Sequence, residues 1–166
     1  MKVQDVMTSE VKSCRPETNL AEATIMMLDY DCGALPVVND ENKVIGMITD
    51  RDIAIAAATK ARLASEILVS EVISRRVYSA TPGEDIHMAL RTMRHEKIRR
   101  LPIVNRDGML QGILSLNDIA LLAEEEEGNR HPELTYEGAM SAVRAVCEHR
   151  LDRRRRPELR IISSFN

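Results

Sequence analysis

The feature that most constrains the fold of this chain is an internal repeat. When the 166-residue sequence is slid on itself by 66 residues, it matches without a gap. Leu35-Pro36 meets Leu101-Pro102, Gly46 meets Gly112, and Asp52-Ile53-Ala54 meets Asp118-Ile119-Ala120. The two copies run from about 3 to 56 and from 69 to 122. A unit of roughly 55 residues is too small for a comfortable core of its own, so we expect the copies to pack against each other.

Both copies have the same predicted order of elements, strand-helix-strand-strand-helix, which places the chain in the α/β (α+β) class. Each copy starts with a short segment, which we call its lead. The lead ends in a brief apolar segment, 10–14 or 76–80, that predicts a strand. Helical spacing of apolar residues follows, with Thr18 or Asn19 and Glu84 or Asp85 as candidate N-caps. An apolar strand containing proline then leads through a turn into the last strand and helix.

The end of each copy carries the motif of greatest functional interest. In Gly46-Met-Ile-Thr-Asp-Arg-Asp-Ile-Ala54 a strand runs into a helix N-terminus, which favours a phosphate, and Asp52 lies one turn from Thr49. A carboxylate there suits the two hydroxyls of a ribose. The alternative is a capping box, in which both side chains satisfy backbone N–H groups. The second copy repeats the motif with Ser115 and Asp118, which strengthens the nucleotide interpretation.

Composition excludes several function classes. A net charge of −3 gives no general attraction to nucleic acid or to anionic membranes, and 2% aromatic residues argue against base-stacking platforms. Three widely spaced cysteines indicate reduced thiols, and no export or membrane-spanning segment is visible, so we expect a cytoplasmic protein. His87 and His95 lack further ligands for a metal, and no catalytic arrangement can be identified. We expect no metal site and no enzymatic activity.

The repeat, with its Leu-Pro-Val-Val strand and its G-x-x-[ST]-x-x-D ending, resembles a cystathionine-beta-synthase (CBS) domain. Two in tandem resemble a Bateman module, here a stand-alone one. The resemblance implies CBS repeats at 1–58 and 69–123, joined by a connecting segment at 59–68 and packed about a pseudo-twofold axis. It also implies two clefts for adenosine ligands such as AMP, ADP, ATP, NAD or S-adenosylmethionine.

By the same resemblance, each cleft takes its lining from the lead, the Leu-Pro strand and the final motif. The implied residues are Thr8, Val11, Ala34, Leu35 and Pro36 in one cleft and Ser74, Val77, Arg100, Leu101 and Pro102 in the other, with ligand contacts from Thr49, Arg51, Asp52, Ser115, Asn117 and Asp118. The second copy is locally basic. Arg91 and Arg94 are expected on a solvated helix face, whereas Arg99 and Arg100 precede a cleft-lining strand and are suited to phosphates.

Residues 124–166 follow the repeats as an acidic linker, a predicted helix from about Thr135 to Leu151 and an arginine run at 153–156. The leading hypothesis is a regulatory module whose nucleotide occupancy biases its oligomeric state or its contact with another protein. A scaffold or nucleic-acid-associated protein acting through the arginine run is the alternative. We expect a homodimer formed chiefly by the repeat helices, although the alanine-rich stripe of the tail helix offers a second route.

Overall fold

A computed structural model describes residues 1–74, 76–124 and 132–148. Each repeat contains a helix, a two-stranded hairpin and a second helix, and one further helix follows the repeats. In chain order the elements are α1 (Leu20–Asp29), β1 (Ala34–Val38), β2 (Val44–Thr49), α2 (Asp50–Thr59), α3 (Ile86–Glu96), β3 (Arg100–Val104), β4 (Leu110–Ser115), α4 (Leu116–Leu122) and α5 (Tyr136–Cys147).

The first helix of each repeat begins where the sequence predicts. Asn19 caps α1 by accepting a hydrogen bond from the Glu22 amide at 2.9 Å, and Asp85 caps α3 by accepting one from the His87 amide at 2.9 Å. These side chains satisfy backbone donors that have no partner inside the helix. The apolar positions spaced at helical intervals, including Ala23, Met27 and Met93, are buried. The predicted caps and core faces are confirmed.

The strand expected at the start of each repeat is reduced to a single bridge. Cys14 pairs with Val37, and Ala80 pairs with Ile103, both in parallel. Prolines explain why no longer strand forms in the first repeat. Extending the parallel pairing in one direction needs an N–H from Pro36, and extending it in the other direction needs an N–H from Pro16. Neither residue has an N–H. Pro102 and Pro82 occupy the equivalent positions in the second repeat.

The two repeats exchange their leads across a pseudo-twofold axis. Lys2 bridges Asp85 and Leu68 bridges Asn19, while Thr8 bridges Ile113 and Ser74 bridges Met47. Members of each pair of bridges are related by the 66-residue offset, so the same contact is made twice, in opposite directions. On the axis itself, Lys43 bridges its own equivalent, Met109. The packing expected from the small size of each repeat is confirmed.

Each hydrophobic core is completed by the other repeat. Val3 and Val6 of the first lead lie in the core built by residues 80–142, and Ile67 and Val69, which precede and begin the second repeat, lie in the core built by residues 14–56. Val3, Ile67 and Val69 are fully buried. The folding of the two repeats is therefore coupled through these segments.

The helix predicted in the tail folds back onto its own chain. Its N-cap is Thr135, and its buried residues Ala139 and Ala142 pack in the second core together with Leu134. Helix α5 contacts α3 and α4. The equivalent face of the first repeat, on α1 and α2, is uncovered within the described residues. None of the described helices combines the length and the apolar composition that crossing a membrane requires.

Two equivalent glycines lie where the exchanged leads touch the hairpins, and we expect them to differ in tolerance. A Cβ at Gly112 would stand 2.7 Å from the backbone oxygen of Thr8, whereas one at Gly46 would meet first the flexible Cδ1 of Ile73 at 2.8 Å. Gly112→Ala should lower the free energy of unfolding by about 1–3 kcal/mol, as overpacking does, and Gly46→Ala by less. Urea denaturation of both variants measures this, and equal losses would contradict the packing described.

Candidate functional site

The hydroxyl and acid of the repeated motif form a capping box in both copies. Oδ2 of Asp52 accepts hydrogen bonds from the Thr49 amide at 3.0 Å and from its hydroxyl at 2.7 Å, and the Asp52 amide donates to Thr49 Oγ1 at 3.2 Å. Ser115 and Asp118 repeat this arrangement, with 2.7 Å for both bonds to Oδ2. The capping interpretation is therefore right for both motifs. It leaves one carboxylate oxygen per motif available for other contacts.

The second carboxylate oxygen distinguishes the two motifs. Oδ1 of Asp118 accepts a weak hydrogen bond from the Thr8 hydroxyl at 3.4 Å. Oδ1 of Asp52 has no hydrogen-bond partner among the residues that the structure describes, although Asp52 is half-buried. An oxygen in that state can accept from a ligand hydroxyl without first losing a protein contact. Of the two motifs, only the first therefore presents a carboxylate oxygen that no described residue engages.

Asp52 lines a cleft of about 470 Å³ between the two repeats, a volume typical of small-molecule sites. We call it the basic cleft. Both repeats and the tail helix contribute to it, and its lining residues are Ala34, Met47, Thr49, Asp50, Arg51, Asp52, Ser74, Arg76, Val77, Tyr78, Lys97, Ile98, Arg99, Arg100, Val146 and Cys147.

The lining carries five cationic side chains against two carboxylates, which favours an anionic ligand. The cations are Arg51, Arg76, Lys97, Arg99 and Arg100. The pseudo-equivalent positions are occupied by Asn117, Glu10, Asp31, Gly33 and Ala34, none of which is cationic. The charge difference between the copies is concentrated in one cleft. Arg91 and Arg94, by contrast, are exposed on α3, as expected.

The implied binding residues are distributed between the two sides of the axis differently from what the family resemblance implied. Ser74, Val77, Arg99 and Arg100 lie with Thr49, Arg51, Asp52 and Ala34, not with Ser115 and Asp118. The reason is the exchange of leads, because Ser74 of the second lead pairs with β2 of the first repeat and Thr8 of the first lead pairs with β4 of the second. Thr8, Ser115 and Asp118 contact one another on the other side of the axis. Val11 and Asn117 do not line the basic cleft.

Four further implied residues are not among those lining the basic cleft either. Leu35 and Leu101 are 1% and 0% exposed and belong to the two cores. Pro36 and Pro102 are buried in the middle of their hairpins. The leucine side chains pack in the cores, and the prolines end the parallel pairing described above. The aliphatic wall of the cleft comes instead from Ala34, Met47, Val77, Ile98 and Val146.

The sequence did not lead us to predict several residues that line the cleft, among them Arg76, Tyr78 and Lys97. The guanidinium of Arg76 lies over the ring of Tyr78, 5.1 Å from the ring centroid. Tyr78 also hydrogen-bonds Glu96, and this bond, followed by that from His95, lowers the pKa of the Glu96 carboxyl. The alignment of Lys97 with Asp31 was a usable signal for Lys97. Nothing in the sequence indicated that Val146 and Cys147, far along the chain, would reach the cleft.

Comparisons with known proteins agree on the family. The family model described as "CBS domain" matches residues 3–59 and 69–125. A CBS domain-containing protein of Bacillus subtilis, YhcV, is 34% identical over 137 residues, covering 81% of this chain and 96% of its own.

Solved structures show the same fold. The AcuB protein of Vibrio cholerae superposes with a TM-score of 0.67 at 28% identity, covering 74% of this chain and 89% of that one. The CBS domain pair of protein MJ0100, solved in complex with 5′-methylthioadenosine and S-adenosyl-L-methionine, has a TM-score of 0.68 at 24% identity, covering 74% and 94%. The chain accordingly belongs to the CBS domain family and carries two CBS domains in tandem.

Proposed function

We propose that the basic cleft binds an adenine nucleotide, AMP, ADP or ATP, and that the protein acts as a regulatory module. The observation that carries this proposal is the half-buried Oδ1 of Asp52, unengaged by the described residues, in a cleft with five cationic side chains. The carboxylate oxygen would accept from a ribose hydroxyl, and the arginines would bind phosphates. The aliphatic wall suits a purine base.

The complex of the MJ0100 domain pair with two adenosine compounds supports an adenosine ligand for this fold. NAD and S-adenosylmethionine remain within the proposal, but the cluster of cations favours ligands that carry phosphates. Occupancy would shift the population of conformations or oligomers and so signal to a partner protein, without catalysis by this chain.

A thermal-shift panel tests the proposal. Adenosine, AMP, ADP, ATP, NAD and S-adenosylmethionine are compared, with GTP as the control for the base. A ligand at about 100 times its dissociation constant stabilises by about 2.7 kcal/mol, roughly 5 to 10 °C for a chain of this length. The phosphorylated adenine ligands should shift the melting temperature most. An unchanged melting temperature with every adenine ligand at millimolar concentration would contradict the proposal.

Arg99 and Arg100 are proposed to give the basic cleft its preference for additional phosphates. The double change of both residues to alanine should lower the ratio of ATP to AMP affinity by at least about tenfold, since the loss of even one charge-assisted hydrogen bond to the additional phosphates costs about 1.5–3 kcal/mol. Arg91→Ala with Arg94→Ala is the matched control, because it removes the same charge from the exposed face of α3. Calorimetric titration gives the ratios, and a ratio lowered equally by both pairs would point to global charge alone.

The proposal includes a homodimer formed through α1 and α2. Ile25, Leu28 and Ile55 are 56%, 78% and 50% exposed on these helices, whereas α5 contacts the corresponding helices of the second repeat. The pseudo-equivalents of Ile25 and Leu28 are Arg91 and Arg94, whereas that of Ile55 is Leu121, so this face is more apolar on the first repeat than on the second. A second copy meeting the same face about a twofold axis would bury it.

Leu28→Glu is expected to yield a monomer, because it places a charge at the centre of this apolar face. Leu121→Glu is the control, since Leu121 is 84% exposed on α4 in the other repeat. Light scattering at tens of micromolar protein should give a dimer for the wild type and the control. A dimer that survives Leu28→Glu, or a monomeric wild type, would remove this part of the proposal.

A cytoplasmic location is proposed from the cysteines, which are all free. Free thiols are usual in a reducing compartment. Burial raises the pKa of the Cys14 thiol to about 11, only partly offset by a backbone hydrogen bond, so this thiol stays protonated and unreactive. The arginine run at 153–156, on which the nucleic-acid alternative depends, lies outside the described residues.

A further inference from the structure

The last turn of the tail helix contacts the basic cleft at Lys97. Nζ of Lys97 donates a hydrogen bond to the backbone oxygen of Glu148 at 3.0 Å and stands 4.0 Å from its carboxylate. Val146 and Cys147, in the last turn of α5, line the cleft beside Lys97. The negative end of a helix and a carboxylate therefore lie at the edge of a cleft that otherwise attracts anions.

The backbone conformation of Lys97 positions its side chain for this contact. It follows the last residue of α3 in a left-handed conformation, with φ 55° and ψ 46°, which ends the helix and directs the chain toward β3. Its side chain is 29% exposed. The same ammonium is thus shared between the cleft, where a phosphate would attract it, and the last turn of α5, where it offsets the negative end of the helix.

Building on the adenine-nucleotide function proposed above, we propose that Lys97 makes the cleft sensitive to the number of phosphates and transmits that number to α5. A polyphosphate draws the ammonium away from Glu148 and brings negative charge close to the C-terminus of α5. Both effects loosen the last turn of the helix. Adenosine, which has no phosphate, leaves the contact with Glu148 intact.

Hydrogen-deuterium exchange of the amides at 144–147 measures this response. Saturating ATP should speed exchange in the last turn by about tenfold, the size of one lost charge-assisted hydrogen bond, and AMP should act less. Adenosine should leave the exchange unchanged. Slower or unchanged exchange with ATP, while calorimetry shows that ATP binds, would overturn the inference but leave the proposed function intact. If no adenine nucleotide binds at all, both fall.

Two variants separate the contact from general effects of charge. Lys97→Met should speed exchange in the last turn without any ligand, and ATP should then add no further change. Lys60→Met is the control, because Lys60 also pairs with a glutamate, Glu71 at 3.7 Å, but follows α2 and does not line the basic cleft. If Lys97→Met leaves the exchange of α5 as in the wild type, the contact does not hold the helix and the inference is wrong.

The affinities of the Glu148→Gln variant for ATP and for adenosine provide a further test. Removing the carboxylate relieves its repulsion of phosphate and its attraction for Lys97, while the hydrogen bond from Lys97 to the backbone oxygen of residue 148 remains, so ATP should bind about two- to fivefold more tightly, the size of an exposed ion pair. Adenosine affinity should not change. Equal gains for ATP and adenosine, or weaker ATP binding, would contradict the competition between Glu148 and the phosphates.

Discussion

Asp52→Ala is expected to weaken binding of an adenine nucleotide by roughly 10- to 100-fold in calorimetric titrations. The change removes Oδ1, the acceptor proposed for the ribose, and a hydrogen bond to a charged group contributes about 1.5–3 kcal/mol. It also removes Oδ2, which caps α2 by accepting from Thr49. Losing a cap costs about 0.5–2 kcal/mol of stability, so the two effects must be separated.

Asp118→Ala is the matched control for this separation. Asp118 makes the same capping contacts with Ser115, and it lies outside the basic cleft. We expect a similar loss of stability and unchanged affinity in the basic cleft. Asp52→Asn, whose amide oxygen can still accept in the cap, provides a second variant with less effect on folding. If Asp118→Ala weakens the ligand as much as Asp52→Ala does, the binding site is wrongly assigned.

Ile67→Ala is expected to lower the free energy of unfolding by about 2–5 kcal/mol, the cost of truncating a fully buried side chain. Ile67 precedes the second repeat but lies in the core of the first. Because the cores share these segments, the loss should appear as a shift of one cooperative transition in urea.

Leu63→Ala is the control for this prediction. Leu63 lies in the same connecting segment and is 68% exposed, so its truncation should change stability by less than about 0.5 kcal/mol. Two separate transitions in the Ile67→Ala variant, or a cost below about 1 kcal/mol, would show that the exchanged segments do not couple the repeats.

The sequence was sufficient for the repeat, the helices and the capped motifs because these features depend on contacts close along the chain. Asn19, Asp85 and the Thr49 and Ser115 motifs each act within three residues. The family resemblance added the pseudo-twofold axis, which the symmetry of the bridges confirms.

The composition of each cleft could not be predicted, because it depends on contacts between distant segments. Ser74 and Thr49 meet only through the exchange of leads, and Lys97 meets Val146 only because α5 folds back on α3. The reduction of the first strand to one bridge had a local cause. Pro16 and Pro36 stand on either side of the pairing, but which strand they would face was not evident before the fold was known.

A crystal structure of the protein grown with ATP tests the central claim most directly. The nucleotide is expected in the basic cleft, with a ribose hydroxyl within hydrogen-bond distance of Asp52 Oδ1 and phosphates on Arg99, Arg100 and Lys97. The cap formed by Thr49 and Oδ2 of the same carboxylate should remain in place. An empty basic cleft at ATP concentrations well above the measured dissociation constant, or a nucleotide bound only beside Ser115 and Asp118, would contradict the account.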